Sequence, residues 1–248
     1  MRKLWTPSRR KLLLGGASLI ASPAILRAQV PMTGAGKGNP GGTTPFALDG
    51  TVEAQSASAT TLTTPGLTTT YGPNVVILLL VLYGGSGITG TPTISNSSFT
   101  FTSRASANFA SLRWCYEYWG VSAGALSGQT FTANFASSIA MLSVFTISGA
   151  HNASPFDPSG VVTSNNAGKP TLVTTNANDI AYGCAADDGP SLTSAGSWTL
   201  LNSVPNGYGV GEITQYQSLS STKAGLLFDY NTSIACRAAI VDAVIKGP

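Results

Sequence analysis

Charge is scarce in this 248-residue chain: 13 Lys and Arg and 10 Asp and Glu make up only 9% of it, and there is one histidine. So few bases make no continuous positive stripe for a phosphate backbone, which argues against nucleic acid as a partner. Three cysteines, Cys115, Cys184 and Cys236, form neither a Cys-x-x-Cys nor a Cys/His cluster, so no zinc site is expected. An oxidising compartment would permit one disulfide and one free thiol; three buried small hydrophobes are the competing reading. No apolar run reaches the ~20 residues of a spanning helix, so the mature chain is expected to have no transmembrane segment. Any Ser-His-Asp or Cys-His mechanism would have to use His151, the sole imidazole.

The charge that is present is unevenly placed. Arg2, Lys3, Arg9, Arg10, Lys11 and Arg27 are six of the 13 bases, and no acid precedes Asp49. Residues 29–248 hold seven bases against ten acids, a net charge of −3. Met1 to Lys11 forms a basic segment, Leu12 to Leu26 an apolar run, and Leu26-Arg27-Ala28 a processing site, which is the grammar of an export signal over residues 1–28. A cut after Ala24 is the alternative. Ser8-Arg9-Arg10-Lys11-Leu12-Leu13 resembles the twin-arginine signal by which bacteria export folded proteins, with an ordinary Sec signal as the other reading. Either implies a periplasmic or secreted protein.

Residues 29–48, with Gly34, Gly36, Gly38, Pro40, Gly41 and Gly42, suit a flexible Gly/Pro-rich linker or arm. Residues 49–248 suit one domain of short strands. Thr51 to Ser56 and Thr60 to Thr64 are Thr/Ser-rich strand segments. Asn74 to Tyr83 is a continuous aliphatic run between Pro73 and Gly84, expected to be a strand buried on both faces. Alternation follows: Leu112, Trp114, Tyr116 and Tyr118 share one face of a strand. Further segments are Gln129 to Phe135, Ser138 to Ser148, Thr171 to Thr174, Ile180 to Ala185, Trp198 to Val204, Gly209 to Ser218, Ala224 to Tyr230 and Ile234 to Ile245. Turn formers between them, with no sustained helical periodicity, predict an all-β, two-sheet antiparallel β-sandwich that is jelly-roll-like.

Ser143-Val144-Phe145-Thr146-Ile147-Ser148-Gly149-Ala150 and Ser154-Pro155-Phe156-Asp157 carry a family likeness. With them go the Trp114 to Trp119 strand, the spacing Gly124, Gly128, Gln129, Thr130, and Asn178-Asp179-Ile180 at a strand entry. Over residues ~50–246 the chain resembles poorly characterised secreted and phage-associated bacterial β-sandwich proteins. The resemblance implies a fold, and a surface or virion-tail role, without catalytic residues to carry over.

Several local patterns suggest chemistry. Gly85-Ser86-Gly87-Ile88-Thr89-Gly90 matches G-x-G-x-x-G, but no helix is expected after it and no acid follows before Glu117, so no dinucleotide or other cofactor is expected. Ser220-Ser221-Thr222-Lys223 matches S-x-x-K but lies between strands, where a polar turn is expected. Asp157, Asp179, Asp187 and Asp188 lie at turns without calcium-loop spacing, and no metal site is assigned. Glu117 and Glu212 could serve as the two carboxylates of a glycosidase, one protonating the leaving oxygen and one attacking or activating water. Arg113, four residues before Glu117, offers a surface ion pair instead.

The leading reading is a non-catalytic exported binding or structural module. Its ligand-binding residues would be Tyr116, Tyr118, Trp119, Trp198 and Tyr208, facing a glycan or a cell-surface protein. The alternatives are a virion or tail-associated structural protein, assembling as a homo-oligomer through strand edges, and a glycoside hydrolase using Glu117 and Glu212.

Overall fold

Fifteen strands and no helix build the described residues of the computed structural model, which are 44–84, 90–165, 168–187, 192–204, 211–231 and 238–248. They belong to the unit Thr43–Pro248. The first sheet collects β1 (Ala47–Thr63), β2 (Asn74–Tyr83), β3 (Thr93–Ser95), β4 (Thr102–Phe109), β5 (Arg113–Ser122) and β6 (Thr132–Ser148). Its order is β1-β6-β2-β5-β4, with β3 paired to the start of β6, and every pairing is antiparallel.

The remaining strands are β7 (Val162–Ser164), β8 (Thr171–Thr174), β9 (Ile180–Asp187), β10 (Thr193–Ser194), β11 (Thr199–Ser203), β12 (Gly211–Ser218), β13 (Lys223–Leu227), β14 (Tyr230–Asn231) and β15 (Ala238–Val244). The second sheet runs β11-β12-β9-β15-β7, again antiparallel. The chain thus completes one sheet before it builds the other. Two ribbons, β8 with β13 and β10 with β14, supply aromatic and aliphatic cover for the second sheet's outer face through Leu172, Phe228 and Tyr230.

The aliphatic run of β2 has a direct cause. Val75, Ile77, Leu79 and Val81 pack between the two sheets, while Val76, Leu78, Leu80 and Leu82 pack in a second apolar layer against Leu67, Leu126, Phe131 and Tyr116. A strand covered on both faces has no position that tolerates a polar side chain, so alternation disappears. Pro73 sits just before its first residue, where a missing N–H costs no ladder bond. Asn74 then closes the entry: its side-chain amide donates to the Tyr71 carbonyl at 2.7 Å.

Several segments differ from expectation. Thr51 to Ser56 and Thr60 to Thr64 form one strand, β1, because shifts in register at Ser56 to Ala59 and Ala59 to Thr61 absorb the break without ending the ladder. Gln129 to Phe135 and Ser138 to Ser148 likewise merge into β6, which begins at Thr132. The strands β3, β7 and β10, of two or three residues, carry no pattern long enough to be legible. The expected linker yields to β1 at Ala47, and residues 29–43 lie outside the described residues.

The β4–β5 connection is three residues, Ala110 to Leu112, without a glycine. Ala110 and Ser111 take φ of 51° and 57°, and the Leu112 N–H closes the turn on the Phe109 carbonyl at 3.0 Å. Positive φ at both central positions matches the right-handed twist of the flanking strands, although Asn-Gly is the usual sequence.

Candidate functional site

Strand β5 divides its side chains strictly. The even positions Trp114, Tyr116 and Tyr118 face the outer layer of the first sheet, and the odd positions Cys115, Glu117 and Trp119 face the second sheet. The three outward rings form a ladder. Trp114 and Tyr116 lie 5.3 Å apart with planes 5° from parallel, and Tyr118 continues the series 6.5 Å from Tyr116. The Tyr118 hydroxyl donates to the Pro92 carbonyl at 2.9 Å, and burial pushes its phenol up to about 12. Burial raises the Tyr116 phenol as well.

Trp114 is half-buried, and it opens a groove of about 410 Å³ lined by Gly90, Thr91, Ser103, Ser106, Trp114 and Tyr116. Ser106 is the cross-strand partner of Tyr116 on β4, and Ser103 that of Tyr118, so small hydroxyl side chains flank the rings where a larger residue would cover them. The Trp114 indole nitrogen is buried, with no hydrogen-bond acceptor among the described residues. Such a site combines a ring edge and face with hydroxyls at short range, the mixture that ligand clefts use to hold and orient a small polar molecule.

Of the residues expected to touch ligand, only Tyr116 lines this groove. Tyr118 is 5% exposed and tied to Pro92. Trp119 points the other way and meets Phe156 edge-on at 5.3 Å. Trp198 is packed on Phe228 in the outer layer of the second sheet, with its indole N–H donated to the Leu227 carbonyl at 2.9 Å. Tyr208 lies outside the described residues. Trp114 was not among the expected contacts, although the serines of the neighbouring strand are the signal that could have singled it out.

The two glutamates are not at a cleft. Glu117 and Glu212 are both 0% exposed, on β5 and β12 of opposite sheets. Glu117 Oε1 accepts from the Tyr182 hydroxyl at 2.5 Å. Beside it Asp242 accepts from the Arg104 Nε at 2.8 Å and from the Ala243 N–H at 2.8 Å, while the Arg104 guanidinium lies 4.0 Å from the centre of the Phe156 ring. Burial first, and then the Asp242 charge, push Glu117 well above the usual carboxylate range. Glu212 has no partner for either oxygen among the described residues, and burial raises it well above that range. A two-carboxylate hydrolysis needs room for a sugar and water between the acids; Tyr182 and Asp242 fill that space beside Glu117.

The alternative surface ion pair of Arg113 with Glu117 also gives way. Four residues along a strand separate the two by about 13 Å, and the Arg113 guanidinium stands 4.9 Å from the centre of the Tyr83 ring. Glu117 finds its partners across the sheets instead.

The remaining patterns resolve into structure. Asp157 accepts N–H bonds from Ser159 and Thr175, each at 2.8 Å, and from Asn176 at 3.1 Å. Burial works to raise its carboxyl, but these donors prevail and hold it far below the usual range. Neighbouring Asp179 is pushed up to about 8, by burial and then by Asp157. Asp187 is buried at the end of β9, and Asp188 lies outside the described residues. Among the described residues no group of three His, Cys, Asp or Glu could hold a metal. His151 Nδ1 accepts the Ser154 N–H at 3.0 Å, and Ser220 to Lys223 is a turn into β13 whose Lys223 N–H donates to Thr174. Of the G-x-G-x-x-G segment only Gly90 is described; it leads through Pro92 into β3, with no helix.

Gly120-Val121-Ser122-Ala123-Gly124 has the G-x-S-x-G spacing of a nucleophile elbow, a motif not expected in this chain. Ser122 instead ends β5, where its buried hydroxyl accepts the Asn74 N–H at 3.0 Å and donates to the Gly124 carbonyl at 2.8 Å. No base bonds it. Cys115 and Cys184 are buried between the sheets, the Cys115 thiol donating to the Ala238 carbonyl at 3.5 Å, and Cys236 lies outside the described residues.

Comparison with protein families, curated proteins and solved structures found no match. Function therefore has to be argued from this chain's own geometry. No helix among the described residues is long and apolar enough to cross a membrane.

Proposed function

We propose that this chain is a non-catalytic β-sandwich that binds a glycan through the groove at Trp114, carried out of the cytoplasm by its basic N-terminal leader. The observation that supports it is the partly open Trp114 ring beside Thr91, Ser103 and Ser106. A sugar ring has an apolar C–H face and a rim of hydroxyls, so it can lie against an aromatic face while bonding neighbouring side chains. The buried acids speak against hydrolysis as the role. Both Glu117 and Glu212 are closed off from solvent, on opposite sheets, with burial pushing their carboxyls upward, and they do not stand as an acid and a base on either side of a substrate.

The test is a glycan-array screen of the full-length chain beside its Trp114→Ala variant. Binding to a sugar class that the variant loses is the expected result. Binding that Trp114→Ala leaves unchanged removes the groove from this function. Following the molecular mass of the exported protein in culture checks the leader: a product shortened by about 28 residues is expected from a signal of that type.

A further inference from the structure

Strand alternation separates charge from the groove. On β4 and β5 the ionisable side chains Arg104 and Glu117 are turned toward the second sheet, where they meet Asp242 and Tyr182, and Arg113 lies against Tyr83 at the strand end. The groove on the opposite face is lined, among the described residues, by two aromatic rings, three hydroxyl residues and one glycine, with no charged side chain. An anionic sugar bound there would surrender hydration of its carboxylate without gaining a cation. That exchange is unfavourable, because a charge that gives up hydrating water without gaining a partner loses solvation.

Size and shape narrow the ligand further. A volume of about 410 Å³ lies near the small end of the range for ligand clefts, roughly 300–1,000 Å³. Trp114 and Tyr116 stack on one another, so Tyr116 is covered and the half-buried Trp114 is the aromatic surface left for an apolar sugar face. The hydroxyls of Thr91, Ser103 and Ser106, all exposed residues, are hydrogen-bonding groups suited to sugar hydroxyls.

We infer that the groove selects neutral sugars, one or two rings of a hexose or N-acetylhexosamine, and discriminates against uronates and sialic acids. This rests on the glycan reading above and adds the charge class of the ligand.

The probe is an array with matched panels of glycans ending in neutral hexose, N-acetylhexosamine, uronate or sialate, read with the full-length chain at low and high salt. Neutral panels are expected to bind, with little dependence on salt because no ion pair is screened. Trp114→Ala should lower that signal about tenfold or more. Ser106→Lys, at an exposed position that leaves the core untouched, should gain uronate or sialate binding. If the unaltered chain prefers uronate or sialate glycans and Trp114→Ala loses them, the neutral selection is overturned while the glycan groove stands. Absence of binding to every panel overturns the glycan reading itself, and the selection with it.

Discussion

Tyr182 on β9 donates its phenolic proton to Glu117 Oε1 on β5 across 2.5 Å, joining the two sheets by a hydrogen bond in a layer that solvent does not reach. Asp242, next to Tyr182 across the β9–β15 ladder, extends the link to Arg104 on β4. Buried polar groups in such a network favour one alignment of the sheets, because a shifted register would leave them unpaired.

Tyr182→Phe removes that hydroxyl and strands a buried carboxyl oxygen. A loss of about 1–3 kcal/mol is expected, read as a lower urea midpoint at unchanged slope. Arg104→Ala should cost more, on the order of 3 kcal/mol, since Asp242 would be left as an uncompensated buried charge. If both variants match the parent midpoint, the network does not hold the sheets together.

The buried acids set a pH dependence whose sign can be worked out. Glu117, Glu212 and Asp179 have folded pKa values above their unfolded ones, so the folded state holds protons that the unfolded chain releases above about pH 4. Their contribution is full below that pH and is lost as pH rises, through about 8 for Asp179. Asp157, depressed in the fold, acts oppositely and loses its contribution as pH falls below about 4. Melting temperature is therefore expected to peak near pH 4–5 and to decline toward pH 8. Glu212→Gln cannot ionise and should flatten the decline. An equal decline in parent and variant would show that Glu212 does not contribute.

Ala110 and Ser111 hold left-handed backbone without the residues that favour it. Replacing them with Asn and Gly should stabilise the protein by about 1 kcal/mol, since a left-handed L-residue carries a cost of that order. The urea midpoint is the measurement, and a midpoint at or below the parent's would contradict the strain argument.

Gly183 on β9 illustrates a close approach. A Cβ there would lie 2.4 Å from the Ile240 carbonyl oxygen and 2.8 Å from the Phe228 ring. Gly183→Ala should cost about 1–3 kcal/mol by overpacking, seen in thermal unfolding. A variant as stable as the parent would mean that β15 and the Phe228 cover shift without penalty.

Much of the fold was legible from the residues. The eight aliphatic residues within β2, the alternation of β5, and the segments at β8, β9 and β15 each carry a period or a composition that favours a strand. The union of two segments into β1, and of two into β6, was not legible, because the short Ala and Ser stretches at 57–59 and 136–137 look like a break when the partner strand is unknown.

For the site the balance is different. Alternation places Trp114, Tyr116 and Tyr118 on one side and Cys115, Glu117 and Trp119 on the other, because consecutive side chains of a pleated strand point to opposite faces. It does not say which side is covered. That was decided by the second sheet bringing Tyr182 and Asp242 against Glu117, and by the serines of β4 leaving Trp114 partly open. Both depend on strands distant in sequence: local periodicity orients a side chain, and only the assembled layers determine what it meets.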